Sequence, residues 1–104
     1  MRILKPSKRV IDHDYLNAIR KLPCVACGKY PAQAHHIKTV KTGGGDDWFN
    51  VIPLCFTHHT GSKEAWHVMG SLSFLKRFPH VREYLSNLGW EITEKKLYHR
   101  NRLL

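Results

Sequence analysis

The sequence predicts a small α+β domain with a compact, treble-clef-like core, on three observations. Two knuckles, Cys24-x-x-Cys27 and Cys55-x-x-His58, set metal-ligand residue types in matched pairs. Two stretches without a helical stripe, Ala32 to Thr39 and Asn50 to Leu54, flank Gly43-Gly44-Gly45 and read as strands of an antiparallel hairpin. Apolar residues at helical spacing bound this middle section on both sides.

The opening stretch to Ile11 is basic and carries Pro6; it reads either as an arm ordered by a partner or as a plain frayed terminus. A short helix follows, N-capped by Asp14, with Tyr15, Leu16, Ile19 and Leu22 on one face and Pro23 as its stop. After the hairpin, the segment from Phe56 to about Met69 is expected to form one helix packed beneath it, completing a strand-strand-helix unit. Leu72, Phe74, Leu75 and Phe78, then Val81, Tyr84, Leu85 and Leu88, predict two core-packing helices parted at Pro79 and ended by Gly89. From Glu94 to Leu104 basic residues mix with leucines, in a tail that either touches nucleic acid or trails. The 104 residues suit one domain spanning 1–104, with its motif core at about 22–70.

Seventeen Lys and Arg outweigh eight Asp and Glu, giving a net charge of +9. Such a surplus attracts a polyanion, which makes nucleic acid the first partner to consider, although charge alone is also compatible with mere solubility. No apolar run approaches the ~20 residues of a membrane span, and the first six residues lack the apolar core of a signal peptide. The expectation is a cytoplasmic protein with no membrane partner. Three Cys fit a disulfide framework poorly and a cytosolic metal site with a non-Cys fourth ligand well; eight His supply candidates.

Two residues between ligands let both reach one ion, so Cys24, Cys27, Cys55 and His58 predict a structural Zn2+ site. Gly28 fits, because the turn closing a knuckle often needs positive φ. The competing readings, a redox pair or buried apolar thiols, leave the matched second pair unexplained.

A second group of residues carries chemistry. Ala34-His35-His36-Ile37 sets two imidazoles at the end of a strand, with Asp47-x-x-Asn50 and then His58-His59 downstream. Taken with the knuckles, the order Cys-x-x-Cys, His-His-Ile, Asp-x-x-Asn-Val-Ile-x-Leu-Cys-x-x-His-His resembles the HNH endonuclease family, whose His, Asn and His fall on His36, Asn50 and His59. The run Ile52-Pro53-Leu54-Cys55 with His58-His59 is similar to small phage-type members associated with recombination. The resemblance implies a ββα-metal fold and a DNA endonuclease, monomeric or homodimeric, at work in a bacterium or a phage-infected host. It also implies that His36 is the general base, that His35 and His59 hold a divalent cation (Mg2+, or Mn2+, Ni2+ or Zn2+), and that Asn50 orients the base or bridges to the metal. Phosphodiester hydrolysis asks for the same parts, a base to take a proton from water and a Lewis acid at the phosphoryl oxygens.

Neighbouring strand residues point to opposite faces, so His35 and His36 serve one site only if the strand ends, twists or bulges there. His67, in Trp66-His67-x-x-Gly70, resembles a further His of some relatives and is open between metal ligation, packing and contact with DNA. The fourth zinc ligand is His58 where many members have Cys, and His35 stands where others have Asp. Lys38, Lys41 and Thr42 beside the glycines, with Arg77 and Arg82, are candidate phosphate contacts, against the alternative of a solvated surface. Trp48 and Phe49 are expected to pack beside the hairpin rather than wedge into a groove. The rival to a nuclease is a non-catalytic, zinc-stabilised DNA-binding or recombination-accessory module, which leaves His35, His36, Asn50 and His59 without a role.

Overall fold

A computed structural model describes residues 10–99 of the chain. The basic residues before Val10, and Arg100, Arg102 and the leucines after His99, lie outside the described residues, so neither the arm nor the end of the tail is judged by it. The architecture is a small α+β fold with two two-stranded antiparallel sheets and five short helices among the described residues.

Helix α1 spans His13–Arg20 and is capped by Asp12 instead of Asp14: the Asp12 carboxylate accepts the Tyr15 N–H at 2.9 Å. Asp14 sits in the first turn, where a negative charge favours the helix dipole. Leu16 and Ile19 are buried against Val51, while Leu22 lies past the helix end and is exposed.

Strands β1 (Gln33–His36) and β2 (Val51–Leu54) pair antiparallel, Gln33 opposite Leu54 and His36 opposite Val51. Every residue of β2 is buried, because both faces of the hairpin are covered. Val51 turns toward α1, and Ile52 and Leu54 toward the main core with Phe74, Leu75, Val81 and Leu85.

The single helix expected over Phe56 to Met69 is two. Helix α2 covers Phe56–His59, helix α3 covers Trp66–Met69, and a polar turn joins them. Ser62 holds that turn, its hydroxyl donating to the Thr57 carbonyl and accepting from the Glu64 N–H. The break matters for chemistry, since eight positions along one helix would part His59 and His67 by about 12 Å. Folding back brings their ring centres to 4.9 Å.

Helices α4 (Ser71–Arg77) and α5 (Pro79–Asn87) meet at Pro79, which starts α5 where its missing N–H costs nothing. The stretch from Glu94, read either as a nucleic-acid contact or as a trailing tail, contains a strand: β4 (Leu97–His99) pairs antiparallel with β3 (Trp90–Ile92). Three-residue strands are too short for alternation to show in sequence. Tertiary contacts hold them, with Trp90 Nε1 donating to the Phe49 carbonyl at 2.6 Å and His99 stacked on the Phe49 ring at 3.9 Å. Phe49 thus packs as expected, but Trp48 is exposed, in the turn before β2 that the Asn50 N–H closes on the Asp47 carbonyl at 2.8 Å.

Phe74 is fully buried between Trp66 and Phe78, and no polar atom compensates its loss. Phe74→Ala is expected to cost about 3–5 kcal/mol in urea denaturation of the metal-loaded protein. A loss below about 1 kcal/mol would contradict this core assignment.

Candidate active site and metal clusters

The first knuckle is a tight turn. Gly28, at φ 80°, donates its N–H to the Cys24 carbonyl at 2.7 Å, and Val25 N–H donates to the Pro53 carbonyl, which ties the knuckle to β2. Cys55 follows β2 and is the N-cap of α2, and His58 follows one turn later on that helix. The four ligand atoms of Cys24, Cys27, Cys55 and His58 all lie within 4.8 Å of one another. Cys27 and Cys55 Sγ are 3.7 Å apart, and His58 Nδ1 is 3.4 Å from Cys55 Sγ and 3.9 Å from Cys24 Sγ. A tetrahedral zinc with Zn–S near 2.3 Å and Zn–N near 2.0 Å would set S···S and S···N edges of about 3.8 and 3.5 Å. The separations fit a zinc ion and are too long for a disulfide, and all three cysteines are free.

The thiols also need a cation. Burial raises the Cys24 thiol, but backbone N–H groups of Cys55, Cys27 and Ala26 outweigh it and lower its pKa. Burial and the neighbouring thiols push Cys27 up to about 11. Cys24 thus ionises more easily than Cys27, and a dication would favour the thiolate of both.

The second cluster is His35, His59 and His67, whose ligand atoms also lie within 4.8 Å of one another. Ring centres are 5.0 Å apart for His35 and His59 and 5.2 Å for His35 and His67. His35 is completely buried, packed on Trp66 at 4.5 Å, and both its ring nitrogens lack a hydrogen-bond partner. An orphaned imidazole in the interior costs free energy unless something accepts its lone pair. Burial, then His59, His67 and His36, hold its pKa well below the usual 6.5, and burial with the other imidazoles also lowers His59. The two rings are therefore neutral at pH 7 with lone pairs available, the form that binds metal. Gln33, two residues before His35 on the same face of β1, completes the arrangement. Its side-chain oxygen accepts the Nδ1–H of His59 at 2.7 Å, which leaves His59 Nε2 for a ligand.

His36 is the last residue of β1 and turns away from this triad. Its Nε2 meets Asp46 Oδ1 at 2.7 Å, yet it stays close enough to His35 and His59 to depress both. Asp46 is nearly fully buried; sequence reasoning singled out Asp47 and missed it. The only signal was a carboxylate directly after Gly43-Gly44-Gly45, in a loop whose path the sequence leaves open. Asn50 is wholly buried and its amide is committed to that loop. Nδ2 donates to the Lys38 and Gly45 carbonyls at 3.0 and 2.9 Å, and Oδ1 accepts the Lys38 N–H at 2.7 Å. A Cβ on Gly44 would collide with the Lys38 carbonyl, so the close approach requires glycine.

The remaining basic candidates disperse. Lys38 starts the stapled loop, and Lys41 lies exposed in its 3-10 turn, Val40–Thr42. Arg77 is engaged with Glu64 at 3.1 Å and lies over the Phe78 ring. Arg82 lines a separate groove of ≈ 670 Å³ with Lys76, Ser73 and Thr93.

Residues 24–64 match the family model described as HNH endonuclease. This segment is an HNH domain. The family is one of nucleases that act on DNA and bind divalent metal. Neither a curated protein nor a solved structure matches the chain. The HNH match includes Asp46 and both clusters except His67, which α3 supplies from beyond it. No helix among the described residues is long and apolar enough to cross a membrane.

Elemental analysis of protein purified without added metal is expected to give one zinc per chain, and Cys24→Ser or Cys27→Ser to lose it together with cooperative unfolding. A folded, zinc-free chain would refute the staple. His35→Leu removes the two orphaned nitrogens at similar volume. Its melting temperature without added cation should equal or exceed the parent's, while the rise expected of the parent with added Mn2+ or Ni2+ should be absent.

Proposed function

We propose that the chain is a metal-dependent DNA endonuclease in which His36 takes the proton from the attacking water and His35, His59 and His67 hold the divalent cation. The observation that carries this reading is the fully buried, orphaned His35 imidazole converging with two others beside a separately anchored fourth. A zinc-stabilised binding module has no need of an unsatisfied interior histidine.

Each residue has a distinct task. His36, partly exposed at the end of β1, is held by Asp46 through one nitrogen and offers the other to water. Gln33 fixes the His59 tautomer, and Trp66 walls off His35. Asn50 acts at one remove, bracing the loop that carries Asp46. The bound cation supplies Lewis-acid stabilisation of charge on the phosphoryl and leaving oxygens.

The triad consists of three imidazole nitrogen donors with no carboxylate. Mg2+ favours oxygen ligands, whereas Mn2+, Ni2+, Co2+ and Zn2+ accept imidazole. A borderline transition-metal ion is therefore the working cation, with Mg2+ the weakest of the set.

Zinc-loaded chain should nick or cut supercoiled plasmid with Mn2+ or Ni2+, stop on chelation, and need far higher Mg2+ for the same rate. His36→Ala should lose about 10²–10⁴-fold in rate while retaining its zinc. Equal cutting by the two forms would remove His36 from the role of base, and equal potency of Mg2+ and Mn2+ would overturn the metal preference.

A further inference from the structure

The matched segment begins at residue 24, but the partner of His36 is held from outside it. Asp46 is gripped on two sides by the chain leading into α1. Its Oδ2 accepts the Asp12 N–H at 2.8 Å, and its own N–H donates to the Val10 carbonyl at 2.8 Å. From the other direction, Asn50 holds the carbonyl of the preceding Gly45. Gly45 is itself pressed on Val10: a Cβ there would lie 2.7 Å from Val10 N and 2.9 Å from its carbonyl oxygen. The carboxylate thus has Oδ2 on a backbone N–H and Oδ1 facing His36 Nε2.

We propose that Asp46 is the positioning residue of His36, and that the Val10–Asp12 backbone is the clamp that aims it. It rests on the reading of His36 as the base. An ionised carboxylate only accepts hydrogen bonds, so Asp46 requires the proton of neutral His36 to sit on Nε2. The lone pair is thereby confined to Nδ1, which becomes the atom that receives the water proton. As that proton arrives, the imidazolium formed is paired with the carboxylate at 2.7 Å, which favours the transfer without Asp46 itself being protonated. The clamp keeps the buried carboxylate aimed, because the Asp12 N–H holds Oδ2 and the Val10 carbonyl holds the Asp46 N–H.

Asp46→Asn inverts this logic at nearly constant shape. The Asp12 N–H still demands the amide oxygen, so the amide NH2 faces His36 Nε2 and forces the proton onto Nδ1, the wrong tautomer for a base. The test is ¹⁵N NMR of the imidazoles in zinc-loaded, full-length chain near pH 8, where unperturbed histidine is neutral, together with plasmid-cutting kinetics. The parent should show His36 as the Nε2–H tautomer, and Asp46→Asn should show Nδ1–H, with kcat down at least ~10-fold, KM little changed and zinc retained. Gly45→Ala, which pushes Val10 off the loop, should mix the tautomers and lower kcat by a smaller factor. Asp46→Glu with a restored Nε2–H should recover part of the loss.

An Nδ1–H tautomer in the parent, or no tautomer change in Asp46→Asn, overturns the proposal whether or not the protein cuts DNA. A tautomer switch with unchanged kcat overturns it as well. Absence of cutting by the parent under every cation is a different failure, that of the nuclease reading, and leaves the NMR outcome to decide the Asp46 geometry.

Discussion

The structure depends on one short helical turn that two metal clusters share. Helix α2 has four residues, too few to be stable alone, and it exists because Cys55 before it and His58 on it converge with the first knuckle. His59, the next residue, is then aimed at the other cluster. A turn gripped by zinc has little freedom to rotate. With zinc bound, the Cys24, Cys27, Cys55 and His58 site would set the direction of His59 as well as stabilise the fold, and loss of the ion would be felt at the triad.

The hairpin divides labour in a related way. His35 and His36 are adjacent and point to opposite faces, the ordinary consequence of strand geometry. The fold uses the alternation: His35 goes to the buried triad, and His36, at the strand's last position, goes to a carboxylate on the loop. His36 stays close enough to help lower the pKa of His35. The two imidazoles, metal ligand and base in the proposed reading, are thus separated by a peptide unit, with different surroundings. One is dry and hungry for a lone-pair acceptor, the other partly wet and hydrogen-bonded.

The loop between the strands is the least regular part of the site and the most heavily braced. Asn50 spans it with three hydrogen bonds, and the segment before α1 pairs with its far end. Glycines at 44 and 45 permit approaches that a side chain would block. A loop held this way can present a buried carboxylate, which a mobile one could not do, because the cost of ordering it is met by backbone pairing and not by the catalytic contact itself.

The sequence by itself determined which ligand-type side chains recur at metal-binding spacings. The two knuckles, the His-His pair and the order of Asn50 and His59 are spacings along the chain, and a spacing of two residues or an adjacency constrains geometry before folding. It also determined the hairpin and the two helices around Pro79, since their patterns are local. Only the tertiary structure decided the rest. Whether α2 and α3 are one helix or two hangs on a polar turn whose helix propensity is weak in either direction, and with it hangs the place of His67 in the triad. Strands β3 and β4 are too short for periodicity to register and are held by Phe49, far away in sequence. Asp46 was invisible for the same reason: it meets its histidine ten positions back, and its second oxygen meets a backbone N–H thirty-four positions back. Local chemistry is written in neighbouring residues, whereas a contact between distant segments depends on the path between them, which packing alone sets.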